Sequence, residues 1–325
     1  MKIAALIQNV EFKQRIEEKM RKTNIFIDFI KNDEPLIPQI MDAEIIINSF
    51  NKIDRNLIDS CPKLKLVQQS GIGVDGIDID YCTEKDIYVA NVPLANAISV
   101  AEHTFLLMLY LCKNIKLDPL QSVSSTGRFV RREPDKIGFE LQGKNLLIIG
   151  LGVTGIEVAK RAKAFGMKVT AITKHPFTKT VGGDKKYFVD YLYGIDKLVD
   201  VLPKADIVSI HTPLNQETEN MIGKKELDLM KKSAYLVNVA RAPIVSREAL
   251  LGSLVNKNIA GAAFDVFWEE PADTDDPLLK LENFVLTPHL AGWTYEAIDS
   301  ITDIMFMNFE RILRGQIPMT MVNKG

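Results

Sequence analysis

The sequence predicts an α/β protein made of two doubly wound parallel-sheet domains, and three observations carry that prediction. Near the middle of the chain an apolar run, Leu146 to Ile149, leads into Gly150-Leu151-Gly152-Val153-Thr154-Gly155 and a helical pattern from Glu157 to Phe165, stopped by Gly166. Short strand-like runs alternate with longer helical stretches on both sides of that point. The 325 residues also exceed what one core usually serves, and roughly 150 residues per domain gives two.

Within the glycine loop, Gly150 permits the tight turn out of the strand, Gly152 lets backbone approach a pyrophosphate, and Gly155 lets the new helix pack closely. The amides at the helix start then face the anion. Nearly half the chain precedes this loop. That part is expected to hold strands near Ile3 to Ile7, Asn24 to Phe29, Glu44 to Ile47, Lys65 to Gln68 and Ile87 to Ala90. Helical stretches such as Phe12 to Lys22 and Arg55 to Asp59 lie between some of them. Ser99 suits the cap of an apolar helix that begins at Val100 and runs through Leu111 as a spine between domains. The polar segment Asp118 to Gly143 reads as a surface connection. A second strand series begins at Asn145, with members near Val169 to Ile172, Ile207 to Ile210, Tyr235 to Val239, Ala262 to Phe267 and Phe284 to Leu286. The last helix, Thr294 to Leu313, has no strand after it and can carry the chain back to the first domain.

Composition narrows the function. Forty Lys plus Arg against 42 Asp plus Glu leave a formal charge of -2 with no long run of either sign, which disfavours nucleic acid and anionic membrane. Met1 to Ile7 breaks at Gln8-Asn9 and reads as a first strand, not a signal peptide, and no uninterrupted apolar stretch of about 20 residues follows. Cys61, Cys82 and Cys112 are isolated and lack C-x-x-C spacing, as in a cytoplasmic protein with free thiols. With no H-x-x-x-H pair either, no metal site is expected. G-x-S-x-G and the P-loop pattern are both missing.

Three charged side chains follow strands of the second series: Arg241, Glu270 and His289. In open parallel sheets the ligand crevice lies beyond the carboxyl ends of the strands, so all three can meet at the mouth that holds the nucleotide. Singly, Arg241 would pass for an ion-pair member, Glu270 for a solvated turn residue and His289 for a cap. Together they suit a reaction in which arginine grips an anionic carbonyl substrate by two hydrogen bonds, histidine exchanges a proton and the cofactor a hydride. A carboxylate beside an imidazole favours its protonated form. His103, in the spine helix, fits a packed role at least as well as a catalytic one. His211 ends a strand and fits either the cofactor site or a backbone contact.

The ordered set Gly150-Leu151-Gly152-Val153-Thr154-Gly155, His211-Thr212-Pro213-Leu214, Val237-Asn238-Val239-Ala240-Arg241, Asp265-Val266-Phe267-Trp268-Glu269-Glu270-Pro271 and Thr287-Pro288-His289 resembles the D-isomer-specific 2-hydroxyacid dehydrogenases. The resemblance covers nearly the whole chain, since Ser70-Gly71-Ile72-Gly73-Val74-Asp75 is similar to that family's substrate loop and Ser99-Val100-Ala101-Glu102 to its interdomain helix. It implies that Arg241 holds the substrate carboxylate, that His289 is the acid/base and that Glu270, not Glu269, pairs with it. It further implies that the Val153 and Thr154 amides meet the pyrophosphate, that Asp265 and the Ala240 carbonyl face the nicotinamide, and that Thr212 belongs to the cofactor site. Gly71, Ile72 and Gly73 become the substrate loop, and the assembly a homodimer. The expected architecture is a Rossmann cofactor domain, 99–292, inserted into a flavodoxin-like substrate domain, 1–98 plus 293–325.

Two departures from the family pattern are informative. About twenty residues after the glycine loop, NAD sites place an acidic residue on the ribose, yet this strand ends Ala171-Ile172-Thr173-Lys174-His175. Thr173 and Lys174 therefore favour NADP, with NAD possible as the alternative. Phosphoglycerate dehydrogenases of this family carry an arginine for the substrate phosphate where this chain reads Ile46-Ile47-Asn48-Ser49, and often an added regulatory domain, whereas this sequence ends at Gly325. The expected substrate is thus a small unphosphorylated 2-keto acid such as glyoxylate, hydroxypyruvate or a branched or aromatic one, with Trp268 and Trp293 as candidate pocket residues. Ala242-Pro243 and Trp268 also depart from the pattern and bear on pocket shape. The alternatives are a short NAD-dependent D-3-phosphoglycerate dehydrogenase and, from another class, a dinucleotide-sensing protein similar to the co-repressors that share this fold.

Overall fold

The computed structural model describes residues 1–114, 137–176, 179–180, 183–184 and 188–323. It divides into two compact units, Met1–Asn96 with Trp293–Gly325, and Ala97–Gly292. The first unit is a five-stranded parallel sheet of β1 (Ile3–Leu6), β2 (Ile27–Phe29), β3 (Ile45–Asn48), β4 (Leu66–Gln69) and β5 (Tyr88–Ala90), in the order β2-β1-β3-β4-β5. Successive side chains of a strand point to opposite faces, so these runs are apolar throughout where both faces are covered. Ile3, Ala5, Ile45 and Ile47 enter one core while Ala4, Leu6 and Ile46 enter the other. The first core is closed by Phe12 and Ile16 of the helix Val10–Met20 and by Met305, Phe306 and Phe309 of the last helix, Tyr295–Leu313. Thr294 caps that helix by accepting from the Ala297 amide.

The second unit contains β6 (Asn145–Ile149), β7 (Lys168–Ile172), the short antiparallel pair β8 (Lys179–Thr180) and β9 (Gly183–Asp184), then β10 (Tyr191–Tyr193), β11 (Ile207–Ile210), β12 (Tyr235–Asn238), β13 (Gly261–Phe264) and β14 (Phe284–Leu286). Seven of them form one parallel sheet in the order β10-β7-β6-β11-β12-β13-β14. Leu147 and Ile149 face one core, Leu146 and Ile148 the other. The helix Ala97–Lys113 packs Ala101, Phe105 and Met108 against Ile156 and Ala159 of the helix Val153–Ala164 in the second of these cores. Strand order reverses between β6 and β11, which makes their carboxyl ends the switch point where doubly wound sheets leave a crevice.

Two expectations need correction, and one strand is new. Ser99 does not cap the helix: the helix already starts at Ala97, and the buried Ser99 hydroxyl donates instead to the Ala291 carbonyl at 2.6 Å. The strand expected through Phe267 ends at Phe264, and Asp265 begins the loop. The edge strand β10 was not expected, because its three residues, two of them exposed tyrosines, carry no apolar run. Of the expected surface connection Asp118 to Gly143, residues 118–136 lie outside the described residues. Trp293 packs edge-on against Phe12 at 6.0 Å and Trp268 stacks on Phe264 at 5.6 Å, its indole N–H donating to the Val245 carbonyl. Both are therefore held in packing of their own unit.

Phe306 is fully buried in the first unit's core. Phe306→Ala should lower that unit's unfolding free energy by about 3–5 kcal/mol in a urea titration, as deletion of a buried aromatic does. A loss under about 1 kcal/mol would contradict this placement of the last helix.

Candidate active site

The registers align Ile172, Ile149, Ile210, Asn238, Phe264 and Leu286 in one row across β7, β6, β11, β12, β13 and β14. The ladder continues one step past that row. Gly150 N–H donates to Ile172, His211 N–H to Ile149, Asp265 N–H to Asn238 and Thr287 N–H to Phe264, at 2.7–3.0 Å. Every candidate residue of the second unit stands within a few positions of this edge.

Gly150 adopts φ +97°, and a Cβ there would lie 2.4 Å from the His211 carbonyl oxygen, so no other residue fits the switch point. At Gly155 a Cβ would lie 2.1 Å from the Gly150 carbonyl, which ties the helix Val153–Ala164 closely to its strand. Gly152 is different. It is exposed, a Cβ there would meet nothing within 4 Å, and as N-cap it makes no side-chain bond to the helix amides. An open approach to the first turn, with Val153 and Thr154 half-buried beside it, is what a dinucleotide pyrophosphate requires. The residues present thus fit that cofactor.

Beyond β12, the buried Asn238 side chain accepts from the Ala240 amide at 3.0 Å and donates to the Arg241 carbonyl at 2.9 Å. It folds the turn that presents Arg241, whose guanidinium donates to the Ala240 carbonyl at 2.8 Å. Beyond β13 and β14, His289 Nδ1 meets Glu270 Oε2 at 2.7 Å, while Oε1 of the same carboxylate accepts from the Phe267 amide at 2.9 Å. Partial burial would raise the Glu270 carboxyl, but His289, the Phe267 amide and the nearby Arg241 outweigh it and hold the carboxyl below its usual range. An ionised carboxylate only accepts, so the proton of this bond sits on Nδ1. His289 itself has φ +53°, a left-handed backbone that costs a non-glycine residue about 1–3 kcal/mol and persists only where its surroundings impose it.

Asp265 is 1% exposed. Its carboxylate accepts from the Thr287 hydroxyl (2.6 Å) and from the amides of Leu290 (3.1 Å) and Ala291 (2.8 Å), with His103 Nε2 at 3.3 Å. Burial pushes its pKa up, yet these donors prevail and keep the group ionised below the usual carboxylate range. His103, of open role in the sequence, is therefore a packed residue of this network. Burial holds His211 neutral, down to about 3; its Nε2 meets Ser209 Oγ at 2.7 Å and its buried Nδ1 lacks a partner among the described residues.

The end of β7 departs from expectation. The absence of a carboxylate there holds only along the strand, because the loop after β11 brings Glu217 to Lys174, with Nζ to its two oxygens at 2.6 and 2.8 Å. Sequence reasoning missed Glu217 because its partner is 43 residues away. Asn238 carried a legible signal, a polar residue inside an apolar run, which when buried must find partners. In the first unit the loop Gly71–Gly73 is fastened by Val92 N–H to the Gly71 carbonyl and Asn91 Nδ2 to the Ile72 carbonyl, and Ile72 is exposed. Asn48 is buried, with its amide donating to the Asn51 carbonyl and Gln69 Oε1. Among the described residues no group of three or more His, Cys, Asp and Glu is gathered as for a metal, and no helix is long and apolar enough to cross a membrane.

Residues 105–291 match the model of the D-isomer specific 2-hydroxyacid dehydrogenase, NAD binding domain. The chain is 34% identical over 315 residues to a glyoxylate reductase of Korarchaeum cryptofilum, covering 92% of this chain and 90% of that protein. It is 38% identical over 294 residues to a D-3-phosphoglycerate dehydrogenase of Methanocaldococcus jannaschii, covering 89% of this chain but 53% of that one, so it spans about half the length of this relative. The structure of a D-lactate dehydrogenase from Aquifex aeolicus, complexed with NAD and lactic acid, superposes with a TM-score of 0.83 at 27% identity over 100% of both chains. The fold and the carboxyl-edge site define a dinucleotide-binding α/β oxidoreductase class. Within it, the chain belongs to the D-isomer specific 2-hydroxyacid dehydrogenase family.

Because the folded Glu270 carboxyl lies below its ordinary value, its stabilising contribution is full above about pH 4.3 and is lost as pH falls through the folded pKa. The melting-temperature gap between the parent and Glu270→Gln should be widest near neutrality and close as the pH falls through the folded pKa. A gap that does not change with pH would contradict the ionised pair.

Proposed function

We propose that this chain reduces small unphosphorylated 2-keto acids to D-2-hydroxy acids with a nicotinamide dinucleotide, favouring NADP. The observation that carries the reading is the 2.7 Å His289–Glu270 pair standing with Arg241 at the carboxyl edge of the sheet that also bears the Gly150 turn. When bound, the dinucleotide supplies the hydride. Val153 and Thr154 hold its pyrophosphate, Thr212 lines its site, and the Ala240 carbonyl and Asp265 face its nicotinamide. Arg241 grips the substrate carboxylate in a bidentate pair. With Nδ1–H directed at Glu270, His289 delivers the proton to the carbonyl oxygen from Nε2, and Glu270 stabilises the imidazolium before transfer. Gly71, Ile72 and Gly73 keep the role of substrate loop, and the first unit that of substrate domain.

An unphosphorylated substrate is favoured because Asn48 brings no positive charge and its amide is engaged with neighbours. Glyoxylate, hydroxypyruvate and branched or aromatic 2-keto acids are the candidates. Likeness to the family supports a homodimer, which sedimentation equilibrium would test against a monomer. The three cysteines are buried, with burial pushing the thiols of Cys82 to about 11 and Cys112 to about 12, so they suit a cytoplasmic protein and fractionation would test that placement.

The deciding experiment is a panel of 2-keto acids with both reduced cofactors and of 3-phosphoglycerate with both oxidised ones. Turnover of a small 2-keto acid supports the reading, preference for the phosphorylated substrate moves it to phosphoglycerate dehydrogenase, and dinucleotide binding without turnover moves it to a sensing protein. His289→Ala should cut kcat by about 100-fold or more without loss of dinucleotide binding, and Arg241→Ala should raise KM strongly as well. Near-parental rates in either variant would refute the assignment.

For cofactor choice, Lys174 is proposed to exchange Glu217 for the 2'-phosphate of NADP, with Thr173 adding a donor. One charge-assisted hydrogen bond is worth roughly 1.5–3 kcal/mol, so a preference for NADPH on the order of tenfold is expected, reduced by the competing carboxylate. Glu217→Gln should enlarge it, Lys174→Ala abolish it and Thr173→Asp reverse it, read as kcat/KM for both reduced cofactors. A parent that prefers NADH by about tenfold would overturn the proposal.

A further inference from the structure

The helix Ala97–Lys113 presents Ser99 and His103 four residues apart, hence on one face, and both are 8% exposed. That face meets the loop 287–291 at both ends. Ser99 Oγ donates to the Ala291 carbonyl at 2.6 Å, and His103 Nε2 lies 2.9 Å from Thr287 Oγ1. Between these points stands His289 with its left-handed backbone.

The direction of the bonds follows from the donors available. Asp265 is ionised and accepts only, so the Thr287 hydroxyl spends its single proton on Asp265 Oδ1. The Thr287 oxygen must then accept from His103, which fixes the proton of that imidazole on Nε2. The same Asp265 carboxylate holds the Leu290 and Ala291 amides, the two that follow His289. A buried chain of donors therefore runs from His103 through Thr287 to Asp265 and returns to the backbone on the far side of His289, while Ser99 ties the Ala291 carbonyl.

We propose that Ser99 and His103 are positioning residues: through Thr287, Asp265 and Ala291 they clamp the loop that holds His289 in its left-handed conformation, so that its Nδ1 stays on Glu270. Both act through other groups, Ser99 through the Ala291 carbonyl and His103 through the Thr287 hydroxyl. The proposal rests on His289 as the proton carrier, and its structural part stands apart from that role. A leucine at 103 keeps the bulk but cannot donate, whereas a glutamine supplies an N–H near the position of Nε2. Ser99→Ala removes one hydroxyl and little else.

The test compares the parent, His103→Leu, His103→Gln and Ser99→Ala by amide hydrogen exchange over 287–291 and by steady-state kinetics on the best 2-keto acid. In His103→Leu the Leu290 and Ala291 amides should exchange about tenfold faster or more. Its kcat should fall between about tenfold and a hundredfold, with KM for the keto acid and dinucleotide affinity within about twofold of the parent. His103→Gln should recover most of both losses, and Ser99→Ala should show the same pattern at smaller size. If His103→Leu does not fold, Ser99→Ala decides the matter by the same readouts. Parental exchange in His103→Leu or, where that variant does not fold, in Ser99→Ala overturns the clamp, as does faster exchange with kcat unchanged, or a rise in KM matching the fall in kcat. If the parent turns over no 2-keto acid, the reaction assigned above has failed, and the exchange data alone uphold or overturn the clamp.

Discussion

Parallel pairing of β7, β6, β11, β12, β13 and β14 with their last residues in one row is the constraint on which the rest of this structure depends. Parallel strands all finish on the same edge, and each first residue past that edge still has an amide to satisfy. Gly150, His211, Asp265 and Thr287 satisfy theirs on the neighbouring strand, so the loops leave the sheet from fixed points. Because the order reverses between β6 and β11, the loops after those two strands diverge, and only glycine at 150 lets them separate without a collision. The cofactor turn, the arginine and the histidine are held together by sheet register, although 241 and 289 lie far along the chain from 150.

Two carboxylates at this edge are ionised for one physical reason and serve different ends. Asp265 and Glu270 both lose hydration, which alone would favour the neutral acid, and both recover more than that loss from donors. Asp265 spends its acceptor capacity on protein backbone, Thr287 and His103, and so shapes a loop. Glu270 divides its oxygens between the Phe267 amide and His289, and so fixes which nitrogen of the imidazole carries the proton. The backbone strain at His289 shows the cost of putting an imidazole there, and the Asp265 bonds to Leu290 and Ala291 are what oppose its relief.

Much of this was legible in the residues because its causes are local. The Gly150–Gly155 spacing declares a strand, turn and helix within a few residues, and the short apolar runs of β3, β6 and β11, bounded by polar residues or glycine, read as strands buried on both faces. Arg241, Glu270 and His289 stood out as charged or titratable residues in the short loops after such runs. What stayed hidden depends on distant partners or weak patterns. Ser99 looks like a helix cap until Ala291, 192 residues later, is seen to take its hydroxyl. Glu217 is one more exposed acid in a polar loop until it meets Lys174. The tyrosine-bearing β10 lacks an apolar run because an edge strand with one open face does not need one.

The central claim is that the carboxyl edge of the second sheet is one dinucleotide-dependent reaction site. Hydrogen exchange with and without saturating reduced dinucleotide tests it most directly. The account predicts slowed exchange in the segments 150–155, 173–174, 211–213, 239–241, 265–270 and 287–291, with the amino ends of the same strands unchanged. Protection at those amino ends, or none at 150–155, would contradict it.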